Sequence, residues 1–258
     1  MAELRVEISD HIAVVTMDNP PVNAFSMDWN FQETFDELGD RDDVRVAILT
    51  GAGDRIFCAG ADVRRAAANL DAGPPRPGEG TTSSRRSREN FYVVTECAVP
   101  VIGAINGPAL GAGLALAASC DYLIASERAV FGLPEIDVGL LGGARHFMRL
   151  FGNQQTRRAN FTGIRLDAQE AYRLGAVIKV VPPEQLMEAA LEEARIIASK
   201  MPVGIKMAKA ALNMIEDMDL RNGYRFEQTQ TAILVKTEDA QEAKRAFAEK
   251  RPPVFRGR

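Results

Sequence analysis

The chain has 258 residues, of which 46 % are hydrophobic and 26 % are charged, and its net charge is −4 at pH 7. This composition is typical of a globular protein with one large core, or with a main domain and an appendage. The basic residues are spread along the sequence, which excludes an electrostatic footprint for nucleic acid or for an anionic membrane. No apolar run approaches the roughly 18 residues of a membrane span.

The cysteine pattern predicts neither a metal site nor disulfides. Cys58, Cys97 and Cys120 are isolated in the sequence, and their odd number argues against a disulfide framework. The N-terminal segment alternates like a strand and lacks the basic and then apolar pattern of a targeting signal. We therefore expect a cytoplasmic protein without a bound metal.

The first half of the chain alternates between strand and helix patterns. Residues 4–8 and 12–17 alternate on either side of a polar turn and predict a hairpin. Residues 27–38 predict a helix, and residues 46–51 predict a strand that ends at glycine. Further strands are predicted at residues 99–107, 121–126 and 129–135, with a helix before residue 118. This alternation predicts an α/β fold that becomes mostly helical after Gly143.

The remaining segments predict one loop and several amphipathic helices. Residues 71–87 are dense in Pro, Gly, Ser and Thr and predict a mobile surface loop, whose arginines at 85, 86 and 88 are either solvated or placed to meet an anion. A helix follows at residues 88–99. Asp167 and Glu170 form a capping box, and Gly175 ends that helix. Apolar residues at helical spacing predict helices within 183–200, 204–218 and 238–250, which either pack within the chain or form an oligomer.

Two glycine turns are the first candidates for a binding site. "CAGAD" and "NGPALGAG" each follow a strand and precede a helix, where backbone N–H groups at the start of the helix are unpaired. Glycine allows a ligand to approach the backbone closely. Tight packing of a helix against a strand explains an isolated turn of this kind equally well.

Four ordered blocks identify a resemblance. "NPPVNAFS", "GAGDRIFCAGADV", "VPVIGAINGPALGAGLALAASCDYLIASERAVFGLPEIDVGLL" and "EKRPPVFRGR" resemble the enoyl-CoA hydratase/isomerase (crotonase) family over essentially the whole chain. The resemblance implies an α/β crotonase-like spiral of strand-strand-helix repeats over residues 1–198. It also implies a helical C-terminal region, residues 199–258, that forms a homotrimer or a dimer of trimers. The implied ligand is an acyl-CoA thioester, with no cofactor besides the coenzyme A of the substrate.

The resemblance also assigns roles to residues. The two backbone N–H groups that polarise the thioester carbonyl correspond to Ala61 and Ala112. The residues implied to contact the acyl-CoA substrate come from the first three blocks and from the end of the last helix. They are Val22, Ala24, Ala59, Asp62, Val63, Arg64, Gly111, Phe247 and Lys250.

The acids depart from the pattern of the hydratases in this family. Those enzymes carry two glutamates; the second corresponds to Glu135, whereas the first corresponds to Ala115. Related isomerases move a double bond with one glutamate at the Glu135 position. His146 either replaces the missing acid or is a half-buried histidine bonded to backbone. Asp137 would share a face with Glu135 if the segment were extended.

These observations predict an enzyme of acyl-CoA metabolism. Its backbone oxyanion hole would stabilise a thioester enolate, and Glu135 would move protons at an enoyl-CoA double bond, by isomerisation or by hydration. Hydrolysis of a thioester or of a ring is one alternative, and a non-catalytic trimer that binds acyl-CoA is another.

Overall fold

A computed structural model describes residues 2–61 and 81–258. Its strands, in chain order, are β1 (Glu3–Ser9), β2 (Ile12–Asp18), β3 (Val46–Gly51), β4 (Val101–Ile105), β5 (Ala109–Leu110), β6 (Tyr122–Ser126), β7 (Val130–Gly132), β8 (Arg165–Asp167) and β9 (Lys179–Val181). Six of them form a sheet of order β1-β2-β3-β4-β6-β9, in which only β1 and β2 pair antiparallel. A smaller sheet has the order β5-β7-β8.

The helices of the described residues are α1 (Phe31–Asp40), α2 (Thr81–Glu96), α3 (Ala112–Ser119), α4 (Ala144–Thr162), α5 (Ala168–Arg173), α6 (Leu186–Ala198), α7 (Pro202–Ile215), α8 (Leu220–Leu234) and α9 (Glu238–Glu249). Two short 3₁₀ helices, Pro134–Val138 and Pro183–Gln185, each begin at a proline. Within these described segments, no helix is both long and apolar enough to cross a membrane.

The large sheet separates two hydrophobic clusters. On one face, aromatic residues such as Phe35 of α1 and Phe147 of α4 pack with Leu116 of α3. On the other face, Ile48 and Ile102 pack against the alanines of α6. Because the strands are buried on both faces, they are nearly continuous apolar runs, as parallel sheets require.

A buried cation attaches α7 to the core. Lys209, only 4 % exposed, donates hydrogen bonds to Asp121 Oδ2 (2.8 Å), to the Val99 carbonyl (3.0 Å) and to the Val94 carbonyl (3.3 Å). These partners compensate the desolvated ammonium. The C-terminal region therefore begins with a helix fixed to the core, while the division at residue 198 stays a prediction.

Several predicted elements are confirmed. The hairpin pairs Ser9 with Ile12 across the predicted turn. Asp167 caps α5 by accepting a hydrogen bond from the Glu170 N–H, at 2.8 Å, and Gly175 follows that helix with a positive φ of 80°. The strand at residues 46–51 and the amphipathic helices of the C-terminal region are also present.

Other predictions were wrong at their boundaries. The helix predicted from residue 27 begins at Phe31, because residues 27–29 form turns that bury Trp29. Residues 81–87 are the first turns of α2 and not a loop, whereas residues 71–80 lie outside the described residues. The strand predicted at residues 129–135 ends at Gly132, because Pro134 starts a 3₁₀ helix. Helix α8 was not predicted.

Candidate active site

Hydrogen bonds hold residues 22–25 beside the first glycine turn, residues 58–61. The Phe25 N–H donates to the Gly60 carbonyl (2.8 Å), and the Ala59 N–H donates to the Val22 carbonyl (3.3 Å). The Leu110 N–H then donates to the Cys58 carbonyl (3.0 Å), which joins the second glycine turn to the same assembly. The three segments that the sequence singled out therefore meet in one place.

Glycine is required where these segments cross. Gly60 has a φ of +88°, and a Cβ added there would lie 2.7 Å from the Leu110 carbonyl oxygen and 3.5 Å from the Ala112 nitrogen. A Cβ added to Gly113 would overlap the Cys58 carbonyl oxygen. The two glycine turns approach each other closely because these two positions carry no side chain.

Ala61 and Ala112 retain free backbone donors. Ala112 is the first residue of α3 and follows Gly111, whose φ is +55° and whose own N–H bonds to the Gly132 carbonyl at 3.0 Å. Within residues 2–61 and 81–258, neither the Ala61 N–H nor the Ala112 N–H has a hydrogen-bond acceptor. The Ala112 N–H also lies at the positive end of the α3 dipole. Such a pair of donors can bind an oxyanion.

Both donor residues line a cavity of about 520 Å³. Its wall is mostly apolar and includes Phe25, Phe91, Ala115, Val138, Leu140 and Leu141. The polar side chains in the wall are Ser87, Glu135, Asp137, His146 and Arg165. A cavity of this size, with an apolar lining and few polar groups, is typical of a small-molecule site.

Glu135 lies directly beside the second donor. Glu135 belongs to the 3₁₀ helix Pro134–Val138, and a Cβ added to Gly111 would lie 2.8 Å from its Oε1 atom. The Oε2 atom is buried and has no hydrogen-bond partner in the described part of the chain. Burial raises the pKa of this carboxyl above its ordinary value. A carboxylate in such surroundings gains more from accepting a proton than an exposed one does.

The position of the missing acid faces the same cavity. Ala115 lies on α3, one turn after Gly111, is 3 % exposed and contributes to the cavity wall. A longer side chain at this position would enter the cavity. Ala115, which stands where the resemblance implies a glutamate in the hydratases, therefore borders the same cavity as Glu135.

His146 also contributes to the cavity wall. Its ring lies edge to face against Phe91, with 5.4 Å between the ring centroids, and none of the side-chain hydrogen bonds between described residues involves His146. The predicted backbone bond of a merely structural histidine is thus not seen. Burial lowers the pKa of His146, and the charges of Arg149 and Arg145 lower it further.

Asp137 does not share a face with Glu135 in the predicted manner, because the segment is a 3₁₀ helix and not an extended strand. Its carboxylate is directed at the end of α4, where a Cβ added to Gly163 would lie 2.8 Å from Asp137 Oδ2. Both residues nevertheless border the cavity.

Sequence analysis missed two functional contacts. Arg165 reaches the cavity because β8 pairs with β7, where Arg165 lies opposite Gly132. Asn23 is buried with a φ of +48° and donates to the carbonyls of Ala52 and Ile56, which fixes the residues between Val22 and Ala24. The asparagine between two apolar residues was the available signal for the second contact.

Several predicted residues are not among the described residues that line the cavity. Asp62, Val63 and Arg64 lie outside the described residues. Phe247, 88 % exposed, and Lys250 lie at the end of α9 and are not among the described residues that line the cavity. Residues 2–61 and 81–258 contain no group of three or more His, Cys, Asp or Glu side chains able to hold a metal ion.

Known proteins share this sequence and fold. The model of the enoyl-CoA hydratase/isomerase family matches residues 7–258. A Clostridium acetobutylicum protein named short-chain-enoyl-CoA hydratase is 36 % identical over 95 % of this chain and 94 % of its own length. A Mycobacterium tuberculosis protein named (7aS)-7a-methyl-1,5-dioxo-2,3,5,6,7,7a-hexahydro-1H-indene-carboxyl-CoA hydrolase is 40 % identical over 93 % of this chain and 95 % of its own.

A solved structure, the enoyl-CoA hydratase of Bacillus anthracis, superposes with a TM-score of 0.90 at 33 % identity and covers 99 % of both chains. The fold and the family match thus define an enzyme of the crotonase class, whose members act on acyl-CoA thioesters. The chain belongs to the enoyl-CoA hydratase/isomerase family. The predicted family and fold class are confirmed.

Proposed function

We propose that this enzyme moves the double bond of an enoyl-CoA, with Glu135 as its only proton carrier. The Ala61 and Ala112 N–H groups bind the thioester oxygen and stabilise the enolate that forms when the substrate loses a proton. Glu135 accepts that proton from one carbon and returns it to another. The observation that carries the proposal is the Glu135 carboxyl beside Gly111, whose buried Oε2 atom has no hydrogen-bond partner among the described residues.

Ala115 favours isomerisation over hydration. Addition of water in the usual two-acid manner needs one carboxylate to activate water and another to deliver a proton. An alanine side chain does neither. A double-bond shift needs one group alone, because Glu135 can remove a proton from one carbon and then deliver a proton to the other.

Hydrolysis is the second candidate, since the M. tuberculosis relative, 40 % identical, is named a CoA hydrolase. In that reaction Glu135 would activate a water molecule for attack on a carbonyl of the acyl group, and the two N–H groups would stabilise the anion of the departing carbon. The same residues thus support either reaction, and the products distinguish them.

Product analysis tests the proposal. Incubation with a β,γ-enoyl-CoA should give the α,β-isomer, and Glu135→Gln should lower that rate by about 10³-fold, within the range for loss of a general acid-base. Carbon–carbon cleavage of a cyclic CoA ester whose ring ketone lies β to the thioester carbonyl, without isomerisation, would replace the proposal with hydrolysis. Binding of CoA esters without turnover of any substrate would make the protein a non-catalytic acyl-CoA binder.

We also propose that binding requires the coenzyme A moiety and no further cofactor. Calorimetry should detect CoA esters but not the corresponding free acids at the same concentration. Equal affinity for an acid and its ester would contradict this.

We propose a cytoplasmic location as well. The described cysteines are all buried free thiols, which supports this location.

A trimer, or a pair of trimers, is the assembly that we propose. The C-terminal helices expose large apolar side chains, including Leu220 at 91 %, Tyr224 and Phe247. A surface of this kind is stabilised when a second copy covers it. In such an assembly Phe247 and Lys250 would reach the coenzyme A of a neighbouring subunit. Light scattering that gives a monomeric mass at micromolar concentration would contradict the proposal.

A further inference from the structure

His146 is a polar side chain of the cavity wall that makes no side-chain hydrogen bond to another described residue. An acyl group whose thioester oxygen sits at Ala61 and Ala112 extends into the cavity that His146 also lines. This step rests on the proposed function, which places the acyl group in this cavity.

Two contacts fix the position of His146 opposite the missing acid. One turn after it, Arg149 donates to the Ala118 carbonyl at 2.6 Å, which ties α4 to the end of α3. Phe91 holds the ring from the other side. His146 and Ala115 therefore border the same space from neighbouring helices.

A neutral imidazole carries one donor and one acceptor. Its lowered pKa keeps the ring neutral at pH 7. When an acyl group displaces water from the cavity, a ring without a partner loses its hydrogen bonds to water and gains none. An acyl group of carbon and hydrogen alone offers no partner, whereas a hydroxyl or keto oxygen does.

We propose that His146 determines substrate specificity by hydrogen-bonding an oxygen substituent on the acyl group. The preferred substrates are then CoA esters whose acyl group carries a hydroxyl or keto oxygen beyond the thioester carbonyl. Ala115 leaves the room that this substituent occupies.

Binding of unreactive esters tests this without turnover. Hexanoyl-CoA is compared by calorimetry with three esters of the same length that carry a keto group on one of the three carbons beyond the α-carbon. At least one keto ester should bind about tenfold more tightly than hexanoyl-CoA. In His146→Leu this preference should fall below about twofold, because hexanoyl-CoA then meets an apolar wall.

Two further variants separate the hydrogen bond from a general change of structure. His146→Gln keeps a donor and an acceptor and should retain part of the preference. Arg145→Lys changes the neighbouring residue, which is exposed, pairs with Asp217 and does not line the cavity. It keeps the positive charge that acts on His146 and should retain all of the preference. Equal binding of all four esters by the unaltered protein, or equal weakening of all four in His146→Leu, would overturn the proposal. If no CoA ester binds, the proposed function itself fails.

Discussion

The cavity combines two kinds of group. Its oxyanion side consists of backbone N–H groups, and its proton-transfer side consists of side chains. Ala61 and Ala112 supply N–H groups whose positions depend on the crossing of two glycine turns. Glu135, Ala115 and His146 line the same cavity, where their side chains supply or withhold acid-base groups. Substitutions other than proline leave a backbone N–H in place, whereas a single substitution can exchange an acid for alanine. The oxyanion side therefore fits any reaction of a thioester, and the proton-transfer side selects one.

Displacing the two backbone donors should have a larger effect than restoring the acid or than the change in stability described next. Gly60→Ala forces a Cβ against the Leu110 carbonyl and shifts the donors, so kcat should fall about 100-fold, the scale of losing one oxyanion donor. Gly53→Ala is the matched control, because Gly53 also has a positive φ, of +76°, but has open space around it. Steady-state kinetics of both variants checks this. Equal losses would mean that backbone strain, and not the hole, sets the rate.

Restoring the missing acid should change the reaction by a smaller factor. Ala115→Glu places a carboxylate in the cavity, and hydration of a short enoyl-CoA should rise about tenfold above the parent, less than the roughly 10²-fold that a fully positioned general acid-base supplies. Ala115→Gln has nearly the same size without the charge and should give no increase. Formation of the 3-hydroxyacyl product is the measurement. An equal increase in both variants would assign the effect to shape.

The smallest effect concerns stability and pH. Because burial raises the pKa of Glu135, folding favours its protonated form, and the folded state loses stability as pH rises through the folded pKa. Glu135→Gln removes this cost and should raise Tm by about 2 °C at pH 8. The gain should shrink as pH falls towards the ordinary value of 4.5.

Glu184→Gln provides the control for this experiment. Glu184 also follows a proline in a 3₁₀ helix, but it is exposed and does not line the cavity, so Tm should not change. Thermal unfolding followed by circular dichroism across this pH range checks both variants. A gain for Glu135→Gln that is the same at every pH would contradict the titration argument.

The backbone side was largely predictable from sequence, and the side-chain surroundings were not. Glycine spacing locates the two turns, because that constraint is local, and the resemblance to the family implies which residues after them are the donors. The direction of Asp137 depends on Pro134, which converts the expected strand into a 3₁₀ helix. Arg165 enters the site only through pairing of β8 with β7, and pairing between distant segments leaves no local pattern in the sequence. Burial of Lys209 likewise depends on Asp121, far away in the chain.

Exchange of the substrate α-proton with deuterated water tests the central claim, that Glu135 is the only proton carrier, most directly. The unaltered enzyme should incorporate deuterium at the α-carbon of a bound acyl-CoA, as followed by mass spectrometry. Glu135→Gln should slow this exchange by about 10³-fold while acyl-CoA affinity changes less than about threefold, because the backbone donors are untouched. Glu184→Gln should exchange at the parent rate. Undiminished exchange in Glu135→Gln would contradict the account and assign the proton to another group in the cavity.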